Sequence, residues 1–173
     1  MSTKTKYKGF TIIEVVLVLA IAALIFMMVF IALPALQRNQ RDTQRKNDLS
    51  RVVTAINSYS SSNRGSLPTS ASLTSTATTS FANTYLTTAG DSFIDPSGTA
   101  PSGQTGYSTY QFILRNTALS APNGDYSTVQ NRIYFSPGYT CSDTGPNAVT
   151  AAGSRKIAFR IYLEGGGFHC VNN

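Results

Sequence analysis

KGFTIIEVVLVLAIAALIFMMVFIALPALQ occupies residues 8–37. From Phe10 to Leu36 the run is apolar except for Thr11, Glu14 and Pro34. As a helix, residues 10–36 would span about 40 Å at ~1.5 Å each, enough to cross a bilayer. A secretory signal peptide has a much shorter apolar core, of about 7–15 residues, with a small-residue cleavage site behind it. A plain membrane anchor fits the length but leaves a carboxylate unexplained near the start of the span. A soluble core helix this long and this apolar would need a larger protein around it. The question posed by the segment is therefore what Glu14 is for.

The flanks of the run are basic. Lys4, Lys6 and Lys8 precede it; Arg38, Arg41, Arg45, Lys46 and Arg51 follow it, opposed nearby only by Asp42 and Asp48. The 173-residue chain has a formal net charge of +6 and only 13% charged residues. From Gly65 onward, Arg115, Arg132, Arg155, Lys156 and Arg160 are balanced by Asp91, Asp95, Asp125, Asp143 and Glu164. The basic balance belongs to the N-terminal part and does not by itself describe a nucleic-acid-binding domain. The Arg38 to Arg51 cluster has two readings, contact with anionic headgroups and neighbouring chains, or a solvated helix face. Asp42 and Lys46 stand at i, i+4 as a supportive surface pair.

Beyond Gln37 the chain stays helix-friendly. Leu49, Val52, Val53 and Ile56 recur at i, i+3, i+4, i+7 and make one apolar face, which Tyr59 continues. One long helix is predicted from about Phe10 to about Ser62, with a break or bend at Pro34. NRGSLP at residues 63–68 supplies its stop. The Ser/Thr/Ala tract of residues 69–80 and the turn-rich residues 95–106 read as loops. Strand patterns follow: Tyr110, Phe112 and Leu114 share a face; Ile133 and Phe135 share another, ending at Pro137–Gly138. Ile157, Phe159, Ile161 and Leu163 alternate with Ala158, Arg160 and Tyr162. Such alternation predicts one wet and one buried face of an antiparallel sheet, and the Leu49 to Ile56 stripe is the available cover. The fold class is α+β: a long N-terminal helix, its apolar half protruding, packed by its C-terminal half on a small antiparallel sheet. Cys141 and Cys170 read as a disulfide if the domain is exported, closing a loop worth roughly 3–4 kcal/mol. The alternative is two unrelated buried thiols.

These residues resemble the N-terminus of type IV prepilins and their pseudopilin relatives. A short basic leader ends in Gly9, the apolar Phe10 follows, Glu14 is the fifth residue from there, and a continuous apolar run carries ALPAL near its end. The close match covers residues 8–37; the rest agrees in plan. The resemblance implies the pilin fold, with leader 1–9, transmembrane and assembly helix 10–36, amphipathic half 37–62 and globular head 63–173. It implies cleavage between Gly9 and Phe10 by prepilin peptidase, a membrane aspartyl protease, and N-methylation of Phe10. It further implies that Glu14 of one chain pairs with the Phe10 amine of a neighbour as the helix leaves the bilayer for a filament. A carboxylate in a span costs about 2.5–3.5 kcal/mol near the centre and less toward the end, so it normally has a partner. The other reading of Glu14 is a carboxylate that snorkels to the interface unpartnered. In relatives the matching proline lies nearer the cleavage site than Pro34 does here.

No nucleotide-binding, hydrolase or metalloprotease motif occurs, and no Cys/His zinc spacing, so an enzyme is not expected, nor a cofactor, metal or small-molecule substrate. His169 reads as a surface or packing residue, and Gly165 to Gly167 as a turn before Cys170. Residues 93–110 resemble the calcium-binding loop of major pseudopilins, with Asp91, Asp95, Asp125 and Asp143 as candidate ligands and no spacing that commits them. Three functions compete: a pilin of a surface fibre for adhesion, twitching motility or DNA uptake; a pseudopilin of a type II secretion or competence machine; and an anchored surface binding protein that never polymerises. The pilin reading has a homo-oligomeric filament, prepilin peptidase, the assembly platform with its ATPase, and the membrane before assembly as partners, with DNA bound only through a whole filament. It places the precursor in the cytoplasmic membrane, N-terminus inside, and the mature chain in a cell-surface pilus.

Overall fold

The computed structural model describes residues 9–74, 81–87, 93–97, 110–120 and 131–173. Lys4, Lys6, Lys8, Asp91 and Asp125 therefore lie outside the described residues, as do most of the two long loops. Two compact units divide the chain, Met1–Gln37 and Arg38–Asn173. Helix α1, Ile12–Ser62, contributes to both and is helical throughout, with Pro34 inside it. The expected break is thus not a terminus: Pro34 lacks an N–H, which leaves the Phe30 carbonyl without its usual i+4 donor, and the helix continues on either side. Helix α1 ends where NRGSLP predicts. The Gly65 N–H reaches the Ser60 carbonyl at 2.8 Å, a Schellman-type closure, and Arg64 takes the left-handed position at φ 56°.

In the second unit, α2 is Ser70–Thr74 and a single π-helical turn covers Asn83–Thr87. Six strands follow: β1 Gln111–Leu114, β2 Arg132–Pro137, β3 Tyr139–Ser142, β4 Gly145–Ala151, β5 Ile157–Tyr162 and β6 Phe168–Asn172. Strands β1, β2, β5 and β6 form one sheet in the order β1-β2-β5-β6, and β3 pairs with β4 separately. The main sheet is antiparallel-rich, but β1 runs parallel to β2 with Phe112 opposite Ile133. A parallel neighbour needs a long return, and residues 115–131 provide it. Leu114, expected beside Tyr110 and Phe112, ends β1 at the sheet edge and is 46% exposed.

The face of the sheet toward α1 is the expected one. Leu49, Val52, Ala55 and Ile56 join Ile133, Phe135, Ile157, Phe159 and Ile161 in one core, with Phe81, Leu86 and Phe93 closing its flanks. The other face is not wet. Every residue of β5 is buried, including Ala158, Arg160 and Tyr162. The cover is the β3–β4 hairpin together with residues 115–119, which hydrogen-bond to it through Leu119 N–H and the Asn147 carbonyl at 2.9 Å. Arg160 occupies that second layer with no exposure. Its Nη1 donates to the Thr117 and Asn147 carbonyls at 2.9 and 2.7 Å, and its Nη2 to the Arg115 carbonyl at 2.6 Å and Ser136 Oγ at 3.1 Å.

Cys141 on β3 and Cys170 on β6 form a disulfide, with Cα atoms 5.9 Å apart. Cys170 stands opposite Arg160 in register, so the bond lies on the layer that Arg160 holds. It ties the hairpin to the edge of the main sheet. The double replacement Cys141→Ser/Cys170→Ser is expected to lower the chain's stability by about 3–4 kcal/mol. Chemical denaturation of the detergent-solubilised chain reads this, and an unchanged midpoint would dismiss the hairpin tether.

Candidate processing and assembly site

Three features of residues 9–14 are fixed by the start of α1. Gly9 lies in open space, with nothing within 4 Å of the position a Cβ would take. Phe10 is 89% exposed. Thr11 is the last residue before the helix, and Glu14 is its third helical residue. The Thr11 backbone N–H and hydroxyl both donate to Glu14 Oε2, at 3.0 and 2.9 Å. This is the glutamate half of a capping box: a helix leaves its first N–H groups without internal partners, and a carboxylate one turn in reaches back to one of them. Glu14 also sits at the positive end of the helix dipole. Glu14 Oε1 accepts no hydrogen bond among the described residues.

Within the single chain Glu14 already has two contacts, both supplied by its own Thr11. The signal was present as T-x-x-E at residues 11–14.

Beyond Glu14 every large apolar side chain to Leu36 is exposed, from 43% at Leu33 to 80% at Ile31. They project on all sides of α1, which is long and apolar enough there to cross a membrane, with none of that window buried. An apolar surface of this extent does not stay in water; it takes lipid or other chains as its surroundings.

Residues 4–30 match the family of the prokaryotic N-terminal methylation motif. The chain carries the leader motif of type IV prepilins. That motif marks a type IV pilin-like prepilin, pilin or pseudopilin, and implies processing by prepilin peptidase. With the apolar part of α1, it fits a membrane-anchored precursor. No curated protein and no solved structure matches the chain.

In the basic cluster of α1, Arg38 and Lys46 are exposed, whereas Arg41, Arg45 and Arg51 meet carboxylates of the same chain. Arg45 is fully buried. Its Nε and Nη2 form a fork onto Asp95 at 2.8 and 3.0 Å, and its Nη1 meets Asp42 Oδ1 at 3.0 Å and Glu164 Oε2 at 3.5 Å. Arg41 forms a second fork onto Glu164, at 2.7 and 2.5 Å. Asp42, expected to pair with Lys46 on the surface, is buried instead and accepts the Glu164 and Gly165 N–H groups at 2.7 Å each. Gly165 eases this approach, since a Cβ there would lie 3.1 Å from Asp42 Oδ2 and the carboxylate would have to give by a few tenths of an ångström. The GGG turn is thus the seat of a helix carboxylate. One turn along, Arg51 pairs with Asp48 at 3.2 Å, and the Tyr110 hydroxyl donates to Asp48 Oδ2 at 2.9 Å.

Asp95, a candidate calcium ligand in the sequence, is committed to Arg45 and to Ser97. Asp143 is exposed in the β3–β4 turn. Among the described residues no group of His, Cys, Asp or Glu could hold a metal ion. His169 is half-buried on the α1 side of β6, where burial and the Lys46 charge hold its pKa down.

The ionic clasp that Arg45 and Arg41 make with Asp42, Asp95 and Glu164 has a pH signature. Burial alone would raise the Asp95 carboxyl, but the Arg45 fork and Ser97 hold it below its usual value; the Arg41 fork does the same for Glu164. A depressed carboxylate stabilises the fold fully above its unfolded pKa, near ~4, and loses that contribution as pH falls through its folded value. Asp48 runs the other way, because burial raises it despite Tyr110 and Arg51. Arg45→Met is expected to destabilise the chain by about 3–5 kcal/mol, since it leaves Asp95 charged and buried, and adding Asp95→Leu should recover most of the loss. Denaturation midpoints between pH 5 and 3 should fall more steeply in the wild type than in the double variant; parallel slopes would refute the clasp's role.

Proposed function

We propose that the protein is a pilin, the structural subunit of a type IV pilus filament. The observation that carries this reading is the pairing of a prepilin leader motif with a helix whose apolar side chains face outward all round. Prepilin peptidase hydrolyses the Gly9–Phe10 bond, which Gly9 leaves unobstructed, and Phe10 becomes the methylated N-terminus. The apolar helix remains in the membrane after cleavage. The assembly platform and its ATPase then draw the chain into a helical homo-oligomer, where apolar helices bury against one another instead of lipid. Within that bundle the Glu14 carboxylate of one chain meets the Phe10 amine of a neighbour, and neutralisation in a low dielectric sets the axial register.

The disulfide between β3 and β6 supports a surface fibre over a pseudopilin piston, because a covalently tethered outer layer suits a head exposed outside the cell. Adhesion, twitching motility and DNA uptake are the roles such a fibre serves. The chain needs no small-molecule substrate for any of these, and DNA would be held by the assembled filament.

Mass spectrometry of the mature chain is expected to give a methylated N-terminus at Phe10. Electron microscopy should show long surface fibres that disappear on deletion of the gene. Glu14→Ala is expected to be cleaved normally and to yield no fibres. A mature chain that begins at Met1 would sink the reading, and processed chains that form only short periplasmic pieces would shift it to a pseudopilin.

A further inference from the structure

Folding uses up most of the acids of the head. Asp42, Asp48, Asp95 and Glu164 are engaged by Arg41, Arg45 and Arg51. Beyond the apolar run the sequence then has only Asp91, Asp125 and Asp143 to offset the remaining cations. Those cations are grouped. Arg38 and Lys46 are exposed near the start of the head's part of α1; Arg64, Arg115, Arg155 and Lys156 are exposed at its other end.

The topology brings the last four to one end of the sheet. Strand β5 runs against the direction of α1: Glu164, after its end, meets Arg41, and Arg155, before its start, lies over the turn that closes α1. A Cβ on Gly65 would stand 3.9 Å from Arg155 Cζ, so this guanidinium sits against the backbone beside Arg64. The Lys156 carbonyl accepts the Gly138 N–H at 2.7 Å, just past the end of β2. Arg115 follows β1, whose Leu114 stands opposite Phe135 of β2, so it reaches the same end. Asp143 is at the far end of the β3–β4 hairpin, because Tyr139 and Ala151 pair at the end beside Gly138. Among the described residues no carboxylate side chain pairs with Arg64, Arg115 or Arg155. Lys156 Nζ donates to the Asn173 carbonyl at 2.7 Å.

We propose that this end of the head is a docking surface for the phosphate backbone of duplex DNA, with Arg64 and Arg155 at its centre and Arg115 and Lys156 on its flanks. A filament, on the reading proposed above, repeats the surface, but each chain carries it whole. Two neighbouring guanidiniums repel, and the α1 C-terminus, negative by its dipole, would be served by one of them. Arg64 also holds a left-handed position, φ 56°, that Gly or Asn ordinarily takes. The cost of this arrangement is offset when a polyanion meets both charges. Arginine outnumbers lysine here, and its planar fork matches two oxygens of one phosphate. A lipid headgroup is the wrong source: residues 38–64 put about 40 Å of helix, at ~1.5 Å each, between the apolar run and this surface. A second copy is also the wrong source, since Asp143 is the one exposed carboxylate among the described residues of the head.

The full chain in neutral detergent is titrated into a short fluorescent DNA duplex of mixed sequence, and anisotropy is followed at several salt concentrations. The wild type is expected to bind with a slope of log affinity on log salt of about −2 to −3, the counterion release of two or three phosphates. Arg64→Asn, which suits a left-handed backbone, and Arg155→Gln should each flatten that slope by about one, and together weaken binding by about tenfold or more at low salt. Arg38→Gln removes the same charge from the other end and should keep wild-type affinity. Arg115→Gln, away from the α1 turn, repeats the comparison where Arg64→Asn disturbs the helix end.

No binding by the wild type would overturn the proposal. A loss in Arg38→Gln as large as in Arg64→Asn would reduce the effect to net charge and overturn the site. Displacement of the duplex by alginate, a carboxylate polymer, as effective as by unlabelled DNA at matched charge would overturn the assignment to phosphate. Because binding is read on single chains, a chain that binds the duplex yet forms no fibres removes the pilin reading and leaves this surface standing; fibre-forming chains that ignore the duplex do the reverse.

Discussion

Arg45 fixes the head. A guanidinium with no exposure is tolerable only if its charge is met, and here it is met from three separate stretches of chain: Asp42 in its own helix, Asp95 in the loop before β1, and Glu164 at the end of β5. Desolvating such a group is expensive, and its pairing in the interior has to match that cost closely. The result is specificity more than net stability. A slip of α1 by one turn would carry the Arg45 charge away from Asp95 and leave both unmatched. The apolar seam from Leu49 to Ile56 supplies the attraction between helix and sheet, but apolar contacts tolerate sliding. The clasp at Asp42 and Arg45 supplies the register, and Arg41 and the Gly165 amide hold its outer end.

The clasp also changes what the basic flank means. Arg38, Arg41, Arg45, Lys46 and Arg51 look in sequence like an unbalanced cluster. Folding brings Asp95 and Glu164 to join Asp42 and Asp48, so four arginines face four carboxylates while Lys46 stays exposed. Two of those carboxylates lie some fifty and well over a hundred residues away along the chain, which is why local reading could not find them. The cations of the leader have no such company in the sequence around them.

Patterns set by local spacing were legible: the apolar run, the stripe at Leu49, Val52 and Ile56, the stop after Ser62, and the core faces of β2 and β5. These depend on periods of 3.6 and 2 and survive whatever the chain does elsewhere. What was hidden depended on long-range cover. Strand β5 alternates as if half wet, yet Arg160 is buried because a polar hairpin, β3–β4, lies over it. That hairpin is rich in Gly, Asn, Thr and Ser, and neither it nor β6 carries the alternation that marks β2 and β5. The parallel pairing of β1 had no local signature either, since it is decided by where residues 115–131 return. At the candidate site the signal is local: T-x-x-E is a capping pattern legible in the sequence, carried here by a carboxylate that also lies in an apolar span.

The cage around Arg160 bears on how the head comes together. Four oxygens from residues 115, 117, 136 and 147 surround the Arg160 guanidinium; among the described residues no carboxylate pairs with it and its Nε is unmatched. None of those oxygens is adequate alone, because a cation shared among dipoles needs several at once. The outer layer therefore closes as a unit around an internal charge, much as a chelate closes around an ion, with no stable half-formed version. Cys170, directly opposite Arg160, is brought level with Cys141 only by that closure. Oxidation would then report completion of the layer, so that a chain whose thiols resist bonding is one whose guanidinium has not yet been enclosed.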